Sequence, residues 1–153
     1  MKPILQALLV ADRIYEDKAT GKKVVAGIFH RVGFMRAVPV EVIERDGVKS
    51  QLVPGGLHAG SPYAYVSLTE IRGKQPFVLR YVRLADETPL FQTEFEIQCN
   101  DPLQTVEVVA SLPPLPANEA GTYALELLWG NEPIGAFRIQ VEEIKQKGAS
   151  DED

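Results

Sequence analysis

Apolar and polar side chains alternate with a period of two along residues 121–141. Tyr123, Leu125, Leu127 and Trp129 share one face of an extended strand, with Ala124 and Glu126 on the other; Phe137, Ile139 and Val141 alternate in the same way with Arg138 and Gln140. Gly130-Asn131 between the two runs suits a tight turn with Gly at its first central position, so the segment predicts a β-hairpin. The same period recurs upstream. In residues 91–99, Phe91, Phe95, Ile97 and Cys99 turn inward against Gln92, Glu94, Glu96 and Gln98, which predicts a half-buried strand with a solvated outer face. Val106, Val108, Ala110 and Leu112 face inward against Thr105 and Glu107, and in residues 63–71 Val66 and Leu68 oppose Tyr63, Tyr65 and Ser67.

The remaining segments are strands and turns. Residues 4–15 form a first strand whose Leu8-Leu9-Val10-Ala11 run is apolar on both faces, as expected of a strand covered on both sides. Residues 23–34 read as one strand, with Val24, Ala26, Ile28, His30 and Val32 on a common face and Gly27 or Gly33 placed for a bulge. Asp46-Gly47, between residues 40–43 and 48–53, is a hairpin signal, and residues 54–62 are a Gly- and Pro-rich loop. Residues 76–85 make a strand between turns at 72–74 and 86–89. Leu112-Pro113-Pro114-Leu115-Pro116 must be extended and lacks donors for a ladder, so it crosses toward the final hairpin. Roughly eight to ten short strands separated by Gly, Pro and Asp turns predict an all-β fold, an antiparallel β-sandwich with little helix.

At 153 residues the chain fits a single domain, expected over residues 1–144, with an acidic and disordered tail at 145–153. Cys99 is the only cysteine, so no intramolecular disulfide can form, which suits a reducing compartment and a cytoplasmic protein. The apolar run at the N-terminus is short and ends at Asp12-Arg13 without a cleavage site, and no stretch approaches the roughly 20 apolar residues of a membrane helix. A net charge of -5 and a pI near 5.1 argue against nucleic acid or an anionic membrane as partner.

Glu119-Ala120-Gly121-Thr122-Tyr123-Ala124-Leu125 resembles the tyrosine corner of immunoglobulin-like sandwiches, in which a Tyr lies two residues before the second core cysteine. Leu125 stands where that cysteine would be, and the expected sandwich is immunoglobulin-like or a related Greek-key. The resemblance implies that the Tyr123 hydroxyl bonds to backbone a few residues upstream and that Tyr123 is structural. A broader likeness runs through residues 8–15, Thr20-Gly21-Lys22, Gly27-Ile28-Phe29, residues 112–116 and Gly121-x-Tyr123: these are similar to a family of uncharacterised small bacterial proteins. That likeness implies a small bacterial β-sandwich and carries over no functional residue; residues 34–62 depart most from its pattern.

No catalytic constellation stands out. His30 and His58 have no partner at metal-ligand spacing, and His30 reads as a packed or strand-edge residue. Cys99 shares inward parity with Ile97 and reads as an inert core thiol. Ser61 and Ser67 have no base beside them, and Pro54-Gly55-Gly56 lacks the lysine and hydroxyl of a phosphate loop. Asp12, Asp17, Asp46, Asp86, Glu87 and Asp101 sit at strand ends or turns, where Asp bonds its own backbone. A calcium site between loops is the weaker alternative for them. Glu94, Glu96 and Glu107 project outward and predict either a solvated face or an acidic stripe, and Tyr63 with Tyr65 suits a protein interface.

The expectation is therefore a non-enzymatic protein-binding or assembly module without a cofactor. It meets a protein partner or a second copy of itself through a surface that includes Tyr63, Tyr65, Glu94, Glu96 and Glu107. The alternative is a small-ligand binder or enzyme using the loop around His58.

Overall fold

Eleven strands and no helix form among the described residues of the computed structural model, which are 2–34, 43–45, 48–50, 62–115 and 119–143. The strands are β1 (Ile4–Glu16), β2 (Lys23–Ile28), β3 (Arg31–Phe34), β4 (Ile43–Arg45), β5 (Val48–Ser50), β6 (Tyr63–Thr69), β7 (Gly73–Arg83), β8 (Thr88–Cys99), β9 (Val106–Ser111), β10 (Gly121–Trp129) and β11 (Glu132–Glu143). One sheet runs in the order β2-β1-β6-β9, the other β3-β11-β10-β7-β8, and β4 pairs with β5 alone. Every pairing is antiparallel except that of β3 with β11, which is parallel.

The alternation in the sequence decides which faces meet. Leu8, Val10, Ala64, Val66 and Leu68 come from the four-stranded sheet; Phe77, Leu79, Tyr81, Tyr123, Leu125, Leu127, Ile139 and Val141 come from the five-stranded one, and all belong to one buried cluster. The arrangement is sandwich-like. Burying side chains of this size contributes about 1.5–3 kcal/mol each relative to leaving them in water. Leu112 and Leu115, three residues apart in the extended Pro-rich crossing, both turn inward and are buried.

The C-terminal hairpin forms as the alternation predicts, from Gly121 opposite Val141 to Trp129 opposite Glu132. Gly130 and Asn131 both have positive φ, +55° and +65°, so the turn is of type I′, whose twist matches that of the flanking strands. The Tyr123 hydroxyl donates to the Glu119 carbonyl at 2.8 Å, the bond that the tyrosine-corner resemblance implies. Trp129 straddles core and surface: it is half-buried, and its Nε1 donates to Gln75 Oε1 at 3.0 Å. The Asp46-Gly47 hairpin is present as β4 and β5, with Arg45 opposite Val48, although those two turn residues lie outside the described residues. The loop at 54–61 and the tail at 145–153 also lie outside them.

Residues 23–34 correct the expectation of one strand. They form two strands in different sheets, and the chain changes sheets at Phe29 and His30. The Phe29 N–H donates to the Val10 carbonyl at 2.8 Å, still on β1, whereas the next carbonyl, that of His30, accepts from the Gln140 N–H at 2.7 Å, already on β11. Parity breaks there, so Phe29 and Val32 are buried while Ile28 and His30 are exposed. The bend begins at Gly27, whose φ of +75° is left-handed. That conformation favours glycine, and a methyl group on Gly27 would stand 2.5 Å from an Asp12 carboxylate oxygen, which would have to move.

Candidate functional site

The two outer faces of the sheets differ in chemistry. On the five-stranded sheet the outward positions mix Val78, Val82, Ala124 and Leu128 with polar pairs: Arg80 Nε and Nη2 donate to Glu126 Oε1 at 3.1 and 3.0 Å, and Lys74 lies 3.2 Å from Glu96. Val82, Ala124 and Leu128 on this side are buried, so only its polar rows match the solvated face that alternation predicts. On the four-stranded sheet large apolar side chains stay exposed.

The pairing register places Leu9, Tyr65 and Val109 in one row across β1, β6 and β9, and Ile28, Ala11, Tyr63 and Ser111 in the next. Arg13 stands opposite Ala26, Tyr15 opposite Val24, and Ile4 opposite Thr69 on the same face. Directly opposed residues point the same way, so these side chains all turn away from the core. Ile4, Tyr15, Ile28 and Val109 are 54%, 55%, 42% and 40% exposed, and among the side chains described in the two main sheets they are the large exposed apolar ones. Arg13 and Glu107 are the only charged side chains at the outward strand positions of this face.

Tyr65 and Glu107 organise its centre. The Tyr65 hydroxyl donates to Glu107 Oε2. Partial burial raises the Tyr65 pKa, the Glu107 carboxylate raises it further, and a hydrogen bond with Ser67 acts the other way. Ser67 is itself buried, and its hydroxyl donates to Gln6 Oε1 at 2.9 Å.

Of the residues singled out in the sequence, Tyr63, Tyr65 and Glu107 come together here. Glu94 and Glu96 do not join them. The acidic stripe expected from Glu94, Glu96 and Glu107 does not form, because β8 and β9 are consecutive in the chain but belong to different sheets. Glu94 and Glu96 instead edge an open hollow of about 390 Å³ on the five-stranded sheet, with Pro76, Val78 and the Gly130-Asn131 turn. No histidine, cysteine or hydroxyl side chain lines it.

His58 lies outside the described residues. His30 is exposed and stacks on Phe137 with ring centroids 5.3 Å apart. Cys99 is buried, with its Sγ 3.2 Å from the Asp101 carbonyl. The acidic turn residues bond locally: Asp17 Oδ1 accepts from the Ala19 N–H, Asp101 Oδ1 from the Leu103 N–H, and Asp86 from both Arg83 and the Thr88 N–H. Arg83 holds the Asp86 carboxyl well below the usual carboxylate range. No group of three or more His, Cys, Asp or Glu side chains placed to share a metal ion occurs among the described residues.

Sequence reasoning missed Ile4, Leu9, Arg13, Tyr15, Ile28 and Val109. Their signal was present in the doubly apolar run of β1 and in Val109, which breaks the polar phase of β9.

Among the described residues, fold and face define an all-β protein with two main sheets and exposed apolar side chains on the exterior of one. The chain belongs to the family of unknown function DUF6941, whose model matches residues 6–142. No curated protein matches it. No helix among the described residues is long and apolar enough to cross a membrane.

Proposed function

We propose that this protein is a non-enzymatic, cytoplasmic protein-binding or assembly module that meets a protein partner through the outer face of its four-stranded sheet. The observation that carries the reading is the confinement of Ile4, Tyr15, Ile28 and Val109 to that one face. Exposed apolar groups scattered singly are ordinary, whereas apolar groups gathered on one patch mark an interaction site. Tyr63 and Tyr65 add amphipathic area of the kind enriched at interfaces, with the Tyr65 hydroxyl already satisfied by Glu107. The net charge of -5 disfavours nucleic acid, and the lone buried Cys99 suits a reducing compartment.

We read the scaffold as immunoglobulin-like. In support, β2, β1, β6 and β9 face β3, β11, β10, β7 and β8, the strand region at residues 23–34 divides between both sheets, and a corner-like Tyr123 bond opens β10.

The test is affinity purification with cross-linking from the native host, comparing the natural chain with Ile28→Glu and Val109→Glu. Both positions are exposed, so melting temperatures should be unchanged. The partner should be lost from both variants; equal capture by all three proteins would sink the reading.

A further inference from the structure

The charge on the apolar face is balanced and asymmetrically placed, and this bears on what covers it. Arg13 is exposed on β1 and makes no ion pair or hydrogen bond with any described residue, while Glu107 is exposed on β9 and held by Tyr65. A partner surface of one sign would satisfy one of these groups and oppose the other. A surface carrying one cation and one anion in the mirrored placement satisfies both, and the surface that has this placement is the face itself.

We infer that the partner on this face is a second copy of the same chain. The two four-stranded sheets meet face to face, with Arg13 of each copy opposite Glu107 of the other. The inference rests on the reading that this face binds protein. The row of Ala11, Tyr63 and Ser111 is the reference line: Arg13 lies two residues beyond it on one side, and Glu107 four residues beyond it on the other. At about 3.3 Å per residue and about 4.8 Å between strands, the two charges stand roughly 20 Å apart along the strands and roughly 10 Å across them. A two-fold axis in the interface plane that exchanges them passes between Tyr63 and Tyr65, at the middle of the apolar rows. Such an interface is isologous and closed, so it makes a dimer and not a filament. It also withdraws Tyr15, Ile28 and Val109 from water, the residues a solvated sheet face would not carry. Because Tyr65 already fixes the Glu107 carboxylate, less side-chain freedom is lost when Arg13 arrives.

The experiment is sedimentation equilibrium on the full chain and on two charge reversals, Arg13→Glu and Glu107→Lys. The natural chain is expected to be dimeric at about 0.1 mM, and each reversal to weaken the dimer by about tenfold or more, because it sets like charges against each other. An equimolar mixture of the two variants should restore association, since one copy then presents two acidic groups and the other two basic ones. A natural chain that stays monomeric at that concentration overturns the inference, as does a dimer indifferent to both reversals or a mixture no tighter than its components. If the chain is monomeric while Val109→Glu still abolishes capture of a different protein, the second copy is wrong and the binding face stands. If capture is also unaffected, both fall.

Discussion

The rings of Tyr81 and Tyr123 stack with centroids 5.5 Å apart and planes 17° from parallel, yet only one hydroxyl is satisfied. Tyr123 donates to the Glu119 carbonyl at 2.8 Å, whereas the buried Tyr81 hydroxyl has no partner among the described residues. Two tyrosines of equal burial should therefore respond oppositely to loss of the oxygen. Tyr123→Phe is expected to cost about 1 kcal/mol, the net worth of a hydrogen bond together with the carbonyl left unpaired. Tyr81→Phe removes a desolvated hydroxyl that gains nothing, so stability should stay level or rise. Urea denaturation of both variants beside the natural chain makes the comparison.

The same hydroxyl sets an alkaline limit. Burial, and then the neighbouring Tyr123, push the Tyr81 pKa well above its ordinary value of 10.0. An unfolded chain loses this proton near its ordinary value, while the folded chain holds it to higher pH. The contribution to stability is thus complete below pH 10 and is lost as pH rises from there through the raised folded value. Unfolding free energies taken between about pH 9 and pH 11 should fall with pH, and the fall should be shallower in Tyr81→Phe.

Gly27→Ala should be among the most damaging single-methyl changes in the chain. It places a Cβ on a residue with φ of +75° and drives it to 2.5 Å from the Asp12 carboxylate. Backbone strain of this kind costs about 1–3 kcal/mol, and the clash adds to it. Asp12→Ala in the same chain should recover the clash but not the strain, so thermal melts of the single and double variants separate the two.

At the apolar face, Glu107→Gln should lower the Tyr65 pKa toward the ordinary tyrosine value without reaching it. The larger cause of its elevation, burial, survives the substitution, and only the carboxylate's contribution is removed. Spectrophotometric titration of tyrosinate, with Tyr65→Phe to isolate the signal, reads the shift. An unchanged titration would mean that the Tyr65–Glu107 bond does not persist in solution.

Much of the fold was legible because alternation is a local property. Phe91, Phe95, Ile97 and Cys99 turn inward together with Leu125, Leu127, Phe137 and Ile139, as their spacing requires. The corner pattern around Tyr123 likewise pointed to a bond that spans four residues. What parity does not carry is the sheet a strand joins. Ile28 and Val32 fit one face on paper, but Gly27 bends the chain, and residues more than a hundred positions away at Gln140 and Val141 supply the new partner. Glu96 and Glu107 misled for the same reason: near in sequence and alike in parity, they sit on opposite outsides of the molecule. The apolar face was legible only in part, since Tyr63 and Tyr65 announce an outward face but its extent emerges from the register that sets Leu9 and Val109 beside them.

The parallel pairing of β3 with β11 has a consequence for how the chain is made. During synthesis β3 leaves the ribosome long before Gln140 to Glu143 exist, and β1 must likewise wait for β6. The apolar run of β1 is therefore exposed as nascent chain through most of translation, with no local partner except β2. Distant pairings of this kind fold slowly and leave early strands open to aggregation. Slowing elongation should bring little benefit to yield, whereas a chaperone that shields β1 until the last hairpin emerges should raise it.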